Sequence, residues 1–575
     1  MEPPNRPAKT LLPGPAWGGR VLTAVARTLP TLEAGNPSPA SEMATLYAHL
    51  VPYEYRRAHG QFFTPLPVAA FMVRWAVTPQ ARSFLDPAVG TGIFLQEAVR
   101  IAPHLPRLCG YEVDPVLAEI ARQVLATTGC FRPQIRREDF LRAEVPGPFD
   151  AIVCNPPYIR YREMAHSREV LQTFAQAFNL PLSGFTNLYG LFLVKIAALL
   201  APFGRAAVLT AGDFLNADFG EPLKRFLLTR NLLEALLIFP PTQLLFGEPL
   251  TTTCLLLLSR GRAADAPVRL IRLSNFEAVS ELSTVLARPA AEASGPGWIQ
   301  TLRQPHALPP ERKWRVFFLS PASASSPYLV PLSELALVRR GIATGANSFF
   351  TLTAAEVEQW GLEREFLRPC LAKASFAPFF DFTLQDFHCL AAAGKKVYLL
   401  YCEGPGSEAL KRYLRYGEEL GVPTRYLPRH RRPWFAPEKR PVAPVLVTVF
   451  SRTRLRFVFN RAGVWNLTAF HGIYPRFADP VRLRALMAYL ISERCGDFLE
   501  AEARVYGAGL RKVEPRDVMA LPVVDVRRLP PPVVEKLARL FEELCTAQRD
   551  QEGLPAVWAR LAQVLEPYVT GDEQT

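Results

Sequence analysis

Asn155-Pro156-Pro157-Tyr158 closes the apolar run Asp150-Ala151-Ile152-Val153-Cys154, which reads as a short buried strand. Each proline fixes its own backbone and pushes the preceding residue out of the helical region. Asn155 and Tyr158 are therefore expected to be held rigidly at the C-terminal end of a strand, where open α/β sheets place their ligand sites. The Asn155 side-chain oxygen and the Pro156 carbonyl supply two hydrogen-bond acceptors, enough for both N–H groups of an amine, and Tyr158 supplies a flat stacking surface. This chemistry suits activation of an amino group on protein, RNA or DNA. A loop that carries two prolines for structural reasons is the competing reading.

Three other strand ends carry groups able to hold a ligand. In Phe84-Leu85-Asp86-Pro87-Ala88-Val89-Gly90-Thr91-Gly92-Ile93-Phe94 an acid precedes a Gly-x-Gly turn that opens a helix, and glycines allow the backbone to approach a ligand closely. Two glycines after an acid depart from the three-glycine pyrophosphate fingerprint, which disfavours NAD or FAD. About twenty residues on, Gly110-Tyr111-Glu112-Val113-Asp114-Pro115 places a carboxylate where ribose hydroxyls are accepted, with a helix-capping Asp114 as the structural alternative. In Glu138-Asp139-Phe140 a carboxylate can accept from an adenine amino group and the aromatic can line the base.

The surrounding pattern supplies the elements that must position these groups. Helices are expected at 41–50, 66–77, 93–102, 115–127, 187–201 and 221–229, and strands at 83–85, 107–111, 134–136, 151–154, 205–210, 232–239 and 252–258. Alternation at this spacing implies a doubly wound parallel sheet. The closeness of the last two strands implies an antiparallel hairpin at the sheet edge. Residues 1–41, rich in Pro, Gly, Ala and Ser, read as a largely disordered arm with a short helix near 20–29. Weak periodicity over 263–330 reads as a linker or insertion, and 331–575 as a second domain ending in helices from about 530.

Taken together the motifs resemble class I S-adenosylmethionine-dependent methyltransferases. More narrowly they are similar to the gamma-class, TaqI-type DNA adenine N6-methyltransferases of restriction–modification systems. The resemblance starts at Gly60-Gln61-Phe62-Phe63-Thr64-Pro65, ahead of the glycine turn, and includes Asn187-Leu188-Tyr189-Gly190-Leu191-Phe192. It covers roughly residues 55–260. It implies an α/β fold: a Rossmann-like seven-stranded doubly wound methyltransferase sheet with an antiparallel edge hairpin over 42–262, followed by a C-terminal mixed α+β target-recognition domain over 331–575. It further implies that Asn155, Pro156, Pro157 and Tyr158 form the catalytic turn and that S-adenosylmethionine is the cofactor. Thr64 would help hold the methionine carboxylate, and Asp86, Ala88, Gly90 and Gly92 would face the methionine moiety. Glu112 with Val113 would take the ribose, Asp139 the adenine amino group, and Phe140 and Phe192 would border the base. Phe246 would be the second aromatic wall beside Tyr158 for a flipped-out adenine. From the residues alone, Thr64 also reads as a turn cap, Phe192 as a core aromatic and Phe246 as a loop aromatic before a strand.

The chain of 575 residues carries a net charge of +13, which fits a nucleic-acid partner. Between 425 and 461 ten Lys or Arg face one acid, Glu438, with aromatics interleaved. That composition suits a phosphate-tracking surface on double-stranded DNA. The segments 339–350 and 510–522 resemble, more loosely, the family's target-recognition region. The expected DNA-binding residues are Arg339, Arg340, Asn347, Arg429, Arg431, Arg432, Arg511 and Lys512. Nine cysteines without a Cys-x-x-Cys pair or a His/Cys cluster read as reduced thiols of a cytoplasmic protein with no metal site. No signal peptide or membrane span is expected. The expected activity is site-specific methylation of adenine N6, with a separately encoded restriction endonuclease as a further partner. The alternatives are protein-glutamine or RNA N-methylation on the same fold, or a DNA-binding subunit without catalysis.

Overall fold

Seven segments between residues 83 and 259 become strands of one sheet: β1 Ser83–Asp86, β2 Arg107–Tyr111, β3 Gln134–Arg136, β4 Phe149–Cys154, β5 Leu200–Ala211, β6 Leu233–Ile238 and β7 Thr253–Ser259. The structure is a computed structural model and describes residues 15–32, 38–129, 133–159, 167–178, 180, 187–240, 253–319, 326–404, 406–506 and 510–570. β3, β2, β1, β4 and β5 lie side by side and all pair parallel. Chain order reverses between β1 and β4, so the turns that follow these two strands open into the same crevice. The glycine turn leaves β1 and the Asn-Pro-Pro-Tyr turn leaves β4. Two motifs about seventy residues apart in sequence are thus set on neighbouring strands.

The helices between the strands are set by caps as much as by apolar faces. The Asp114 carboxylate accepts from the Val116 and Leu117 amides at 2.8 and 3.2 Å and starts Pro115–Thr127, with proline in the first turn where its missing N–H costs nothing. Leu66–Ala76 is buried along nearly its whole length and packs with β1, β4 and β5 in one apolar layer. A second layer, built on Leu188–Leu199 and Glu221–Thr229, covers the other sheet face.

Two expectations are corrected at the far side of the sheet. β7 lies between β5 and β6, antiparallel to both, and β6 continues into further strands. The β6–β7 pair is therefore interior. The reason is legible in β7 itself: Cys254-Leu255-Leu256-Leu257-Leu258 is apolar at every position, and its side chains divide between the two core layers, the mark of a strand covered on both faces. Residues 263–303, expected as a linker, supply β8 Val268–Leu273, β9 Ala293–Gly295 and β10 Trp298–Arg303, which extend the sheet to ten strands. Their weak periodicity reflects a nearly all-buried β8, a short exposed β9 and a tight β9–β10 turn through Gly297, at φ +81°.

The N-terminal expectation also changes. Pro15–Thr28 is a helix whose Val21 and Val25 join the core, with Trp17 packed edge-on against Tyr47 and Tyr55. The expected short helix near 20–29 is present and starts earlier, and it is packed into the core instead of belonging to a disordered arm, because tertiary contacts stabilise it. Helix Pro39–Leu50 follows, capped by Ser38.

The chain divides into two compact units, with the boundary at Phe318 and Leu319. The second unit is mixed α+β, as expected. Ala336–Arg340, Phe470–Pro475, Val445–Thr448, Phe457–Asn460 and Asp381–Phe382 form a five-stranded sheet. Helices Pro480–Ile491, Pro531–Asp550 and Leu554–Thr570 share its core. No helix among the described residues is long and apolar enough to cross a membrane.

Candidate active site

The Asn155 side chain is fixed by the segment that precedes the sheet. Its Nδ2 donates to the Phe62 carbonyl at 2.8 Å and to Thr64 Oγ1 at 3.0 Å. A carbonyl can only accept, so the nitrogen must face inward and both amide hydrogens are used. Oδ1 is the atom left to receive a donor. Gly60 closes the same junction: it ends helix Tyr53–His59 in the left-handed region at φ +65°, and its Cα lies against the Tyr158 main chain. Phe62 stacks on Tyr158 with ring centroids 6.0 Å apart and 23° between planes. The 60–65 segment and the Asn-Pro-Pro-Tyr turn therefore form one packed unit. Burial pushes the Tyr158 hydroxyl well above its ordinary range, and Cys254, Cys154 and Asp213 add to the shift.

Two carboxylates lie at the ends of β1 and β2. Asp86 is fully buried. Its Oδ1 accepts from the Ala88 amide at 3.1 Å, while Oδ2 has no partner among the described residues. Burial, and then the nearby Glu112, raise this carboxyl well above the usual range. Glu112 Oε2 accepts from the Gly90 amide and Oε1 from the Asp114 amide, both at 2.9 Å, and burial pushes its pKa up to about 7. Gly90 and Gly92 adopt φ of +56° and +93°, which L side chains rarely tolerate. Val113, next to Glu112, is 68% exposed. A buried carboxylate oxygen without a donor, a carboxylate near neutrality and an exposed apolar residue fit a bound hydroxyl- and amine-bearing ligand with an apolar ring.

At the end of β3, Asp139 caps its own turn through the Leu141 amide at 3.0 Å, and Phe140 is buried edge-on against Tyr111 and tilted against Phe192. Phe192 is a core aromatic, so the structure gives it a packing contact and no exposed edge. Phe246 lies outside the described residues.

Three residues of this region went unread in the sequence. The Asp213 carboxylate, which follows β5, accepts from Asn187 Nδ2 at 2.9 Å and from the Tyr189 hydroxyl, and burial raises its pKa. An acid directly after a long apolar strand was the available signal. Lys195 Nζ donates to the carbonyls of Phe140, Leu141 and Ala143 at 2.6, 3.2 and 2.7 Å. Gln61 bridges the Tyr47 hydroxyl and Asp114, each at 3.0 Å. Neither had a local signal, because their partners are distant in the chain.

In the second unit the expected DNA-binding residues separate into two groups. Arg339, Asn347, Arg429 and Arg432 are exposed, Arg340 is half-exposed with Glu438 at 3.3 Å, and Lys512 pairs with Glu514 at 2.5 Å. Arg431 and Arg511 are corrected. The Arg431 guanidinium donates to the Thr344 and Ala343 carbonyls, and Arg511, buried, donates to those of Arg452 and Thr453. Both hold loops together.

A model of the N-6 DNA Methylase family matches residues 47–286, and one of the Type II methyltransferase M.Eco57I C-terminal domain matches residues 312–554. The chain is thus similar to the N-6 DNA methylase family over the first of these stretches. It is 29% identical over 502 residues to Type II methyltransferase M.AccI of Acinetobacter calcoaceticus, covering 86% of this chain and 91% of that protein. To Type II methyltransferase M.XamI of Xanthomonas campestris pv. amaranthicola it is 24% identical, covering 82% and 86%. The fold resembles that of the Type IIL restriction-modification enzyme MmeI, solved in complex with DNA, with a TM-score of 0.54, 14% identity and coverage of 94% of this chain and 79% of that one.

Proposed function

We propose that this chain is a site-specific DNA methyltransferase that transfers a methyl group from S-adenosylmethionine to the N6 amino group of a flipped-out adenine. The observation that carries the reading is the Asn155 amide, held with both hydrogens inward and its oxygen available. The lone pair of an exocyclic amine is delocalised into its ring. Asn155 Oδ1 and the Pro156 carbonyl accept from its two N–H groups and draw the nitrogen toward tetrahedral geometry, and fixed positioning supplies much of the acceleration. Tyr158, backed by Phe62, stacks on the extruded base, which offsets an unstacking cost of a few kcal/mol by roughly 1–3 kcal/mol. The amine's proton leaves after transfer, so no base is required beforehand.

Asp86, the 88–92 turn, Glu112, Val113, Asp139 and Phe140 would hold the cofactor, which supplies an electrophilic sulfonium methyl when bound. Thr64 would reach its carboxylate. In the second unit Arg339, Arg340, Asn347, Arg429, Arg432 and Lys512 would track duplex DNA. Tyr426, 72% exposed with Arg429 over its ring at 5.4 Å, supports that surface. The protein would act in the cytoplasm beside a separately encoded endonuclease.

The test is to express the chain in a host without adenine methylation and sequence its DNA with a read-out of modified bases. N6-methyladenine confined to one short sequence is the expected result. Unmodified adenine in cells that accumulate the folded protein would overturn the reading.

A further inference from the structure

We propose that Thr64 is a positioning residue for Asn155, setting which end of the amide faces the substrate. An asparagine amide is nearly symmetric in shape, and its two orientations present opposite chemistry. Turned one way it offers an acceptor to the target amine; turned the other way it offers a donor that repels it. The Phe62 carbonyl selects the first orientation through one hydrogen. Thr64, 5% exposed, takes the second hydrogen on Oγ1 and so fixes the rotation of the amide plane as well as its sense.

The hydroxyl has one proton of its own. If that proton is donated elsewhere, to a bound carboxylate for example, Oγ1 can act toward Asn155 only as an acceptor, which reinforces the productive orientation. Thr64 thereby joins the strap at 60–65 to the turn at 155–158, and Gly60 packs at the other end of the same junction. A residue serving only the cofactor would influence its affinity. A residue orienting Asn155 influences the rate once the cofactor is bound.

The inference rests on the methyltransferase reading, and the experiment separates the two. Thr64→Val keeps the volume and removes the oxygen; Thr64→Ser keeps the oxygen. Tritium transfer from labelled S-adenosylmethionine to unmethylated genomic DNA is measured at saturating cofactor, cofactor affinity by calorimetry and folding by thermal melting. For Thr64→Val the saturated rate is expected to fall ~10–100-fold, while Thr64→Ser stays within about threefold of the parent. Thr64→Val added to Asn155→Ala is expected to cost no further rate, since the two act as a unit. An unchanged saturated rate with weaker cofactor binding would overturn the inference. Should Thr64→Val fail to fold, Thr64→Ala is held to the same criterion. Absence of transfer by the parent protein defeats the underlying reading instead.

Discussion

A β-carbon on Gly60 would stand 2.6 Å from the main-chain nitrogen of Tyr158. The two residues are nearly a hundred positions apart, yet their backbones touch, and the left-handed φ of Gly60 lets helix Tyr53–His59 end there. Gly60→Ala should therefore displace the catalytic turn. Strain in the left-handed region alone costs roughly 1–2 kcal/mol, and the clash adds to it. The expected outcome is a lower melting temperature and loss of methyl transfer out of proportion to any loss of cofactor affinity, read by calorimetry and tritium transfer on one preparation.

Asn155→Ala removes the side-chain acceptor and leaves the sheet intact. Loss of one preorganised hydrogen-bonding group at a reacting atom typically costs about a hundredfold to a thousandfold in rate. Methyl transfer should fall by at least that factor, with cofactor affinity close to the parent's. Near-normal turnover would remove Asn155 from the mechanism.

On the proposed reading, Glu112 makes cofactor binding pH-dependent. Its pKa in the free protein is about 7 because it is buried, and a carboxylate that accepts from two hydroxyls must be ionised. Affinity should therefore rise as pH increases through 7 and level off above it, falling about tenfold per unit on the acid side. Titration calorimetry from pH 5.5 to 8 checks the sign, and Glu112→Gln should bind weakly with no such slope. Without cofactor, a carboxyl whose pKa is raised on folding stabilises the protein most below its unfolded value and loses that contribution as pH climbs through 7. The free protein should accordingly melt lower at pH 8 than at pH 6, and added cofactor should narrow the gap.

Lys195 satisfies three carbonyls of the turn that carries Phe140. Lys195→Met keeps the stem and removes the charge. Hydrogen bonds to a charged group contribute about 1.5–3 kcal/mol, so denaturant unfolding should show a loss of that order, with weaker cofactor binding. An unchanged midpoint would show that water replaces the ammonium.

Arg429 and Arg432 are exposed, and Arg432 donates only to carbonyls of its own loop, those of Arg429 and Arg431, whereas Arg431 ties that loop to the distant carbonyls of Ala343 and Thr344. Replacing both Arg429 and Arg432 by Ala in the full chain should lower the slope of log affinity against log salt for duplex DNA by about 2, with stability unchanged. Arg431→Ala should instead lower the melting temperature. The opposite pattern would exchange the roles of the three arginines.

What the sequence determined by itself was the local chemistry. The order of strands and helices from 83 to 259, the acids at strand ends, the glycine turn and the rigid Asn-Pro-Pro-Tyr exit are short-range features, and they hold because caps, prolines and glycines act within a few residues. The tertiary structure decided which distant groups meet. Only folding put the Phe62 carbonyl and Thr64 on the Asn155 amide, Gly60 on Tyr158, Lys195 under the Phe140 turn and Asp213 on Tyr189. It also placed β7 inside the sheet, drew residues 268–303 into further strands and turned Arg431 and Arg511 inward. The side-chain pairings among these bury a polar group beside a partner far along the chain, which neither composition nor period encodes, whereas the place of β7 follows from an apolar run covered on both faces. The turn at Asn155 was visible in the sequence; which end of its amide is held inward was decided by the strap folded against it.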